Sequence, residues 1–246
     1  MKRRMFLATS LSAAVSGCAP VGRALNQNAG FHKFLGVVEP VNLALIGTRG
    51  MAKLYSERDI DRDFRVNGFD TPSDDAYRRL VREEYRSYRL VVDGAVERRQ
   101  SFSLGRLRSM HAQTQITRHD CVEGWSAIGK WSGVPVSQIL DVVKPKNGAR
   151  YVVFHCWDRS SEGLPYYESL NLQQARHPQT ILAFDLNGKP LDPDHGAPLR
   201  MRIPTQLGYK SAKWVYRLEV VPSFSHIFAG AGGYWEDQGY EWYAGI

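Results

Sequence analysis

The chain of 246 residues contains three cysteines, Cys18, Cys121 and Cys156, and these are its most reactive side chains. A cysteine thiolate can act as a nucleophile, as the ligand of a soft metal or as one half of a disulfide. Zinc is disfavoured, because neither a Cys-x-x-Cys nor a His-x-x-x-His spacing occurs. Two interpretations of Cys121 and Cys156 stay open on this basis. They form a disulfide, as an exported protein permits, or Cys121 has a chemical role of its own.

Other functional classes have little support in the sequence. The phosphate-loop pattern Gly-x-x-x-x-Gly-Lys and the hydrolase pattern Gly-x-Ser-x-Gly do not occur. The formal charge of +7 falls to +4 when Lys2, Arg3 and Arg4 are subtracted, because they lie in a segment that we expect to be removed. The remaining basic residues are scattered and not interleaved with aromatic residues, which disfavours nucleic-acid binding.

The first 18 residues have the features of an export signal. Three basic residues at positions 2–4 precede an apolar, small-residue-rich stretch at 7–15. The run Arg-Arg-Met-Phe-Leu favours a twin-arginine signal over an ordinary basic flank. The run Val-Ser-Gly-Cys that ends at Cys18 resembles a lipobox, so cleavage before Cys18 would leave an acylated residue on a membrane. The alternative is an incidental cysteine within a signal peptide.

Short strands are the main elements expected to position the later cysteines. Strands are predicted over residues 89–92, 95–99, 114–117, 151–155, 181–185, 199–203 and 215–221. The first two form a hairpin turned at Asp93-Gly94. Helices are predicted over 103–110 and 135–143, the second ending before Pro145. Residues 61–80 are predicted to form loops.

These patterns divide the chain into three parts. A signal peptide covers residues 1–17, a linker with an N-terminal helical segment covers 18–60, and one α+β domain covers 61–246. The tail, residues 230–246, is too rich in aromatic residues to be a disordered end. It either covers a site or completes the core.

Several separate motifs around and after Cys121 share one resemblance. They are similar, in the same order, to the molybdopterin-binding domain of the sulfite oxidase superfamily, and within it to the catalytic subunit of the periplasmic methionine-sulfoxide reductases. The likeness covers roughly residues 60–222. The motifs are Arg118-His119-Asp120-Cys121-Val122-Glu123-Gly124-Trp125, Pro165-Tyr166-Tyr167-Glu168, Asp194-His195-Gly196-Ala197-Pro198-Leu199-Arg200 and Gly208-Tyr209-Lys210-Ser211-Ala212-Lys213-Trp214.

The resemblance implies a strand-rich fold with mixed sheets and short helices, and a molybdenum-molybdopterin cofactor. Cys121 corresponds to the single thiolate that coordinates molybdenum, and that role disfavours a disulfide. Arg200 and Lys213 match positions that hold the cofactor, whose phosphate suits cationic donors. Ser211 and Ala212 add hydroxyl or backbone contacts.

Four further residues are assigned by the same resemblance. Cys156 stands where relatives carry a threonine or a similar residue against the pterin, and His195 stands where they carry a pterin-binding His or Asn. Asn67 matches a cofactor-contacting asparagine, although a simple Asn-Gly turn explains it equally well. Tyr166 corresponds to the tyrosine beside the metal, where a phenol can donate to an oxo group or to substrate.

The implied reaction is oxygen-atom transfer coupled to two-electron redox chemistry. Val122 and Glu123 follow Cys121 where an anionic substrate would need cations, which favours reduction of a sulfoxide or N-oxide over a sulfite dehydrogenase. Asp120 is as well explained by a salt bridge to Arg118 as by acid–base chemistry. Trp125 and Trp131 line an apolar pocket or pack in the core. A third hypothesis, from another class, is a lipid-anchored binding module that keeps the fold without the metal.

The resemblance and the signal together predict the surroundings of the protein. The substrate is a small-molecule or protein-bound oxide, and the electron partner is a separate protein, either a membrane cytochrome b or a soluble cytochrome c. No haem-attachment Cys-x-x-Cys-His motif occurs in the sequence. We expect a periplasmic monomer anchored through Cys18, on the periplasmic face of the outer membrane.

Overall fold

The computed structural model describes residues 50–246. The predictions for the export signal, for Cys18 and for most of the segment 18–60 fall outside the described residues. Within the described part, no helix is both long enough and apolar enough to cross a membrane. Residues just before position 61 run beside the domain, since the Tyr55 amide donates to the Ile116 carbonyl at 3.0 Å.

Within residues 50–246, ten strands form two sheets, one mixed and one antiparallel. They are β1 (Arg89–Gly94), β2 (Gln100–Ser103), β3 (Gln113–Asp120), β4 (Ser126–Pro135), β5 (Tyr151–Arg159), β6 (Pro165–Asn171), β7 (Ile181–Leu186), β8 (Lys189–Pro190), β9 (Arg200–Arg202) and β10 (Val215–Val221). The first sheet has the order β2-β1-β10-β5-β6, in which β1 and β10 are parallel. The second has the order β3-β4-β7-β8, and β9 also pairs with β7.

The helices are short and are defined by their caps. They are α1 (Asp75–Arg82), α2 (Leu104–Ser109), α3 (Val136–Val143), α4 (Leu172–Ala175) and α5 (Tyr234–Asp237), with 3₁₀ turns at Glu57–Asp59 and Gly208–Lys210. The Asp74 carboxylate accepts the Tyr77 amide at the start of α1, and the Ser103 hydroxyl accepts the Arg106 amide in α2. Each side chain satisfies a backbone N–H that the first helical turn leaves unpaired.

The largest apolar core joins the two sheets. Leu90, Phe154 and Leu218 from the first sheet belong to the same buried cluster as Val134 and Leu182 from the second. Successive strand residues point to opposite faces, so Val153 belongs to a separate cluster with Tyr167 and Val221. The two faces of the first sheet are therefore both covered, one by the second sheet and one by residues near the C-terminus.

The predicted α+β class with mixed sheets is confirmed, and most predicted strands occur close to their predicted positions. The hairpin prediction is wrong in its second arm. Residues 95–99 are not a strand, and β2 begins only at Gln100. The amides of Ala95, Glu97 and Arg98 instead donate to carbonyls in β10 and at the end of α3. The strand predicted over 199–203 is shorter, from Arg200 to Arg202, and all three of its residues are buried.

Several elements were not predicted, and the longest of them are α1, β4 and β6. Residues 75–82 form α1 although 61–80 was predicted as loop, because Asp74 caps a helix whose Tyr77 side chain is fully buried. The sequences of β4 and β6 contain glycine, proline and charged residues, which lower their predicted strand propensity. In the structure β4 nevertheless pairs with β7, and β6 pairs with β5.

Candidate functional site

Residues from distant parts of the chain meet at one cleft on the domain. It encloses about 500 Å³ including its open mouth. Six of the residues assigned by the sequence line it: Asn67, Cys121, Tyr166, Ser211, Ala212 and Lys213. They come from the loop before α1, the turn between β3 and β4, the strand β6 and the segment after the 3₁₀ turn at Gly208–Lys210. The fold thus brings together the residues that the resemblance assigned to the cofactor.

Cys121 lies in the tight turn that joins β3 to β4. Its amide donates to the Trp125 carbonyl at 2.9 Å, and the Gly124 amide donates to the Cys121 carbonyl at 3.1 Å. Gly124 has a φ of 86°, a conformation that glycine adopts without steric cost. Burial raises the pKa of the Cys121 thiol. Cys121 and Cys156 are both free thiols, so the disulfide alternative does not hold.

The carboxylates that flank Cys121 have partners of their own. Asp120 is 2.8 Å from the Arg118 guanidinium and accepts the Ser126 hydroxyl at 2.6 Å. Glu123, which lines the cleft, accepts the Trp125 indole N–H at 2.8 Å. The salt-bridge interpretation of Asp120 is therefore the one that the geometry supports.

A group of buried cations lies behind the cleft, and we call Arg200, Arg202 and Lys213 the cation cluster. Strand alternation places Arg200 and Arg202 on the same face of β9, where both guanidinium groups lie over the Trp131 ring, at 5.2 and 4.6 Å. Their hydrogen bonds go to neutral groups. Arg200 donates to the Asn67 side chain at 2.9 Å, and Arg202 donates to His119 at 2.8 Å. Within residues 50–246, no member forms a salt bridge with a carboxylate.

Lys213 completes this cluster at the cleft wall. Its ammonium donates to two backbone carbonyls, those of Phe69 at 3.0 Å and Asp194 at 3.1 Å. Burial, and after it the charge of Arg200, lowers the pKa of Lys213 to about 7. Burial likewise lowers the pKa of Arg200 to about 10 and, with Arg200 adding repulsion, that of Arg202 to about 9. Mutual repulsion and lost hydration make this a region that an anion would stabilise.

His119 borders the cation cluster and is itself neutral. It is buried, and burial together with the nearby cations holds its pKa well below the ordinary value. Its Nδ1 accepts from Arg202, and its Nε2 has no hydrogen-bond partner in the described chain. A Cβ on Gly208, which lines the cleft, would collide with this ring, so the glycine permits the close approach.

Three predicted site residues lie outside the cleft lining. Arg200 lies behind it and reaches it through Asn67. The His195 ring is held by the Asp192 carboxylate at 2.8 Å and the Phe64 carbonyl at 2.8 Å, while its carbonyl accepts from Arg200 at 3.3 Å. Cys156 is buried in the main core, where its thiol faces the Phe154 carbonyl. The roles assigned to these residues stay predictions.

Tyr166 lines the cleft but its proton is already engaged. The hydroxyl donates to the Tyr209 carbonyl at 2.6 Å. Burial holds the pKa of Tyr166 well above its ordinary value, so the phenol stays protonated. In this arrangement Tyr166 acts as a rigid neutral wall, and donation to substrate would require its hydroxyl to change partner.

Other cleft residues were missed by the sequence reasoning. Asp158 is buried in the lining, its Oδ1 has no hydrogen-bond partner in residues 50–246, and burial raises its pKa to about 7. Phe69, Tyr209 and Trp235 supply aromatic walls. Trp125 and Trp131 do not line the cleft, and Trp131 is fully buried in a core cluster. The alternation of side chains along a strand was the one sequence signal that could have predicted Arg202 on the same face of β9 as Arg200.

Comparison with known proteins gives the family. A family model described as the oxidoreductase molybdopterin binding domain matches residues 78–228. The chain belongs to this family. It is an oxidoreductase, and the cofactor of its family is molybdenum-molybdopterin, so the resemblance found in the sequence is confirmed.

Named relatives agree with this assignment. The chain is 41% identical over 195 residues to the protein-methionine-sulfoxide reductase subunit YedZ1 of Azospira oryzae, covering 79% of this chain and 68% of that protein. It is 32% identical over 195 residues to the protein-methionine-sulfoxide reductase catalytic subunit MsrP of Xanthomonas campestris, covering 75% of this chain and 60% of that one. The chain thus spans 60% to 68% of the length of these relatives.

A solved structure shares the fold of this family member. The crystal structure of the sulfane dehydrogenase SoxCD from Paracoccus pantotrophus aligns with a TM-score of 0.51 and 24% sequence identity, over 56% of this chain and 39% of that one. At this identity the likeness concerns the fold alone.

The residues present fit a molybdopterin. The cation cluster holds three buried positive groups without a carboxylate in the described chain, and the Arg200 Nε has no hydrogen-bond partner there. A phosphate placed against Arg200 and Lys213 would supply the missing negative charge. Cys121 offers a thiolate at the same cleft, which is the donor that a soft metal prefers.

Proposed function

We propose that this chain reduces a neutral oxide, a sulfoxide or an N-oxide, by oxygen-atom transfer. The observation that carries the proposal is the composition of the cleft around Cys121. Val122, Glu123 and Tyr209 line it there, no arginine lines the cleft, and the one lysine in the lining, Lys213, donates to backbone carbonyls. A neutral oxide meets no electrostatic penalty beside Glu123, whereas sulfite would be repelled.

Arg65 does not line the cleft, although its charge acts on the Cys121 thiol. Its guanidinium lies 5.0 Å from the centre of the Trp125 ring. Stacking uses the face of a guanidinium and leaves its edge N–H groups able to donate. The preference for a neutral oxide therefore rests on the cleft lining and not on Arg65.

The residues of the chain divide the work of the proposed reaction. When bound, the molybdenum cofactor supplies two-electron oxygen-atom chemistry. Cys121 would hold the metal, and Arg200 with Lys213 would hold the phosphate. Glu123 and Trp235 line the same cleft, where the oxide would bind. Overall, one sulfoxide, two electrons and two protons give one sulfide and one water.

Activity measurements on the purified protein test this proposal directly. We expect sulfoxide-dependent oxidation of a reduced viologen dye, and no sulfite-dependent reduction of cytochrome c. Cys121→Ala should abolish turnover, because the metal loses its protein ligand. The control is Thr114→Ala, at the far end of the same hairpin, whose hydroxyl contacts only Ser132. Turnover that persists in Cys121→Ala would refute the assignment.

We also propose an exported, lipid-anchored protein with a separate electron partner. The twin-arginine pattern and the lipobox-like run ending at Cys18 support periplasmic export and anchoring, on the periplasmic face of the outer membrane. The partner would be a membrane cytochrome b or a soluble cytochrome c. Mass spectrometry of the mature N-terminus tests the anchor, since it predicts an acylated Cys18.

A further inference from the structure

The C-terminal tail, residues 230–246, begins just after the match to the family model ends, at residue 228. It contains the short helix α5, and Trp235 in that helix lines the cleft together with Cys121 and Tyr166. The tail also completes the core on the outer face of the first sheet, where the Trp242 ring stacks on Phe224 at 6.0 Å. Both of the roles expected for an aromatic tail are therefore present.

Aromatic contacts fix the tail against the cleft wall. The Tyr234 ring stacks on Tyr166 with 5.6 Å between centroids, and it meets Phe69 edge-on at 5.1 Å. Trp235 lies 6.1 Å from Phe69 on one side and 5.2 Å from Tyr240 on the other. These contacts connect the aromatic rings of the tail to the aromatic residues that line the cleft.

A buried ionic group ties the same helix to the sheet, and we call Glu168, Lys210 and Glu236 the clasp. Their side chains are 0%, 0% and 1% exposed. The Lys210 ammonium is 2.6 Å from Glu168 and also contacts Glu236. Glu236 follows Trp235 directly, so the clasp anchors the helix that carries the indole.

One proton is needed to balance this group. Two carboxylates and one ammonium would leave a net negative charge in a buried place, which is costly. Burial, and after it the charge of Glu236, holds the pKa of Glu168 well above its ordinary value. The two carboxylates raise the pKa of Lys210, although burial alone would lower it. Burial therefore favours a clasp that is neutral overall, in which one of the two carboxyls carries a proton.

We propose that the tail sets the substrate specificity of the cleft, with Trp235 as the wall that contacts the apolar substituents of the oxide and the clasp as the device that positions it. This inference rests on the proposed function and names a residue outside the family match that determines which oxides fit. An indole in the lining of the cleft favours substrates with aryl or bulky alkyl groups, because stacking and burial add to binding.

Two sulfoxides and a matched set of variants test the wall. With the cofactor-loaded protein, Trp235→Ala should lower kcat/KM for methyl phenyl sulfoxide roughly 3- to 10-fold more than for dimethyl sulfoxide, mainly through KM. Trp235→Phe should keep most of the preference. Phe228→Ala is the control, since this exposed ring lies just before the tail and packs on Tyr167 at 4.6 Å, away from the cleft lining. An equal loss for both sulfoxides in Trp235→Ala would overturn the proposal.

Binding of a non-reducible analogue separates this inference from the proposed function. Calorimetry with methyl phenyl sulfone should show weaker binding to Trp235→Ala than to the wild type or Phe228→Ala. If neither sulfoxide is reduced by the wild type, the proposed function fails, whereas the sulfone comparison still decides the role of Trp235. Equal sulfone affinity in all three proteins would contradict that role.

The clasp is tested by a conservative pair. Glu236→Gln keeps an acceptor for Lys210 and a donor for Glu168, so it should keep the preference for the aryl sulfoxide. Glu236→Ala removes both contacts and should lose the preference as Trp235→Ala does, while the protein stays folded by circular dichroism. If Glu236→Ala does not fold, the Gln variant decides: loss of the preference in Glu236→Gln would overturn the positioning role, and retention supports it.

Discussion

Two buried lysines three residues apart, Lys210 and Lys213, have opposite surroundings. Lys210 contacts the carboxylates of Glu168 and Glu236, and its pKa is raised. Lys213 donates only to backbone carbonyls, lies near Arg200, and has its pKa lowered to about 7. The first charge is balanced within the chain, so it stabilises the fold. The second is not balanced by a salt bridge within residues 50–246, and we therefore expect the phosphate of the cofactor to bind there.

The largest difference is expected when Lys210 is removed. Lys210→Met leaves two carboxyls buried without their cation, and breaking a buried ion pair costs about 3–5 kcal/mol of the free energy of unfolding. Urea denaturation of the purified variant measures this loss. A loss below about 1 kcal/mol would mean that the clasp contributes no more than an exposed salt bridge.

The matching substitution at Lys213 should act in the opposite direction. In cofactor-free protein, Lys213→Met removes an unpaired buried charge and should raise the free energy of unfolding by roughly 1–3 kcal/mol. The same variant should retain less cofactor, as measured by molybdenum per chain after gel filtration. A destabilised cofactor-free Lys213→Met would contradict the comparison with Lys210.

A smaller effect is expected from pH. Because folding lowers the pKa of Lys213 from its ordinary value to about 7, the unfolded chain binds more protons above pH 7 than the folded chain. The stability of cofactor-free protein should therefore rise between pH 7.0 and 8.5, by about 1–2 kcal/mol at most.

Lys213→Met supplies the control for this pH effect. Asp158, whose pKa is raised to about 7, acts in the window below pH 7, where rising pH lowers the stability. The rise above pH 7 should consequently disappear in Lys213→Met, as followed by thermal unfolding at the two pH values. An identical rise in both proteins would assign it to another group.

The sequence was sufficient for the parts of the site that local motifs mark. The strand before Cys121, the turn after it and the later Arg200 and Lys213 all carry motifs of one family, and the structure brings them to or beside one cleft. The class of fold followed from the same strands. Local patterns are informative here because each motif is a short strand or turn with its own residue requirements.

The remaining features depend on tertiary structure. The clasp pairs Glu168 with residues 42 and 68 positions later, and no spacing in the sequence indicates that contact. Asp158 is an ordinary charged residue at the end of β5 until the fold buries it at the cleft. Trp235 was visible only as part of an aromatic tail. The different surroundings of Lys210 and Lys213 likewise come from the residues that pack on them, and not from the local sequence around either lysine.

The most direct test is the molybdenum and pterin content of the purified protein, compared between the wild type and Arg200→Met. If the cation cluster and Cys121 hold the cofactor, the wild type should contain about one molybdenum and one pterin per chain, and Arg200→Met should have lost most of both while remaining folded. A wild type without molybdenum, or an Arg200→Met variant with undiminished cofactor, would contradict the central claim.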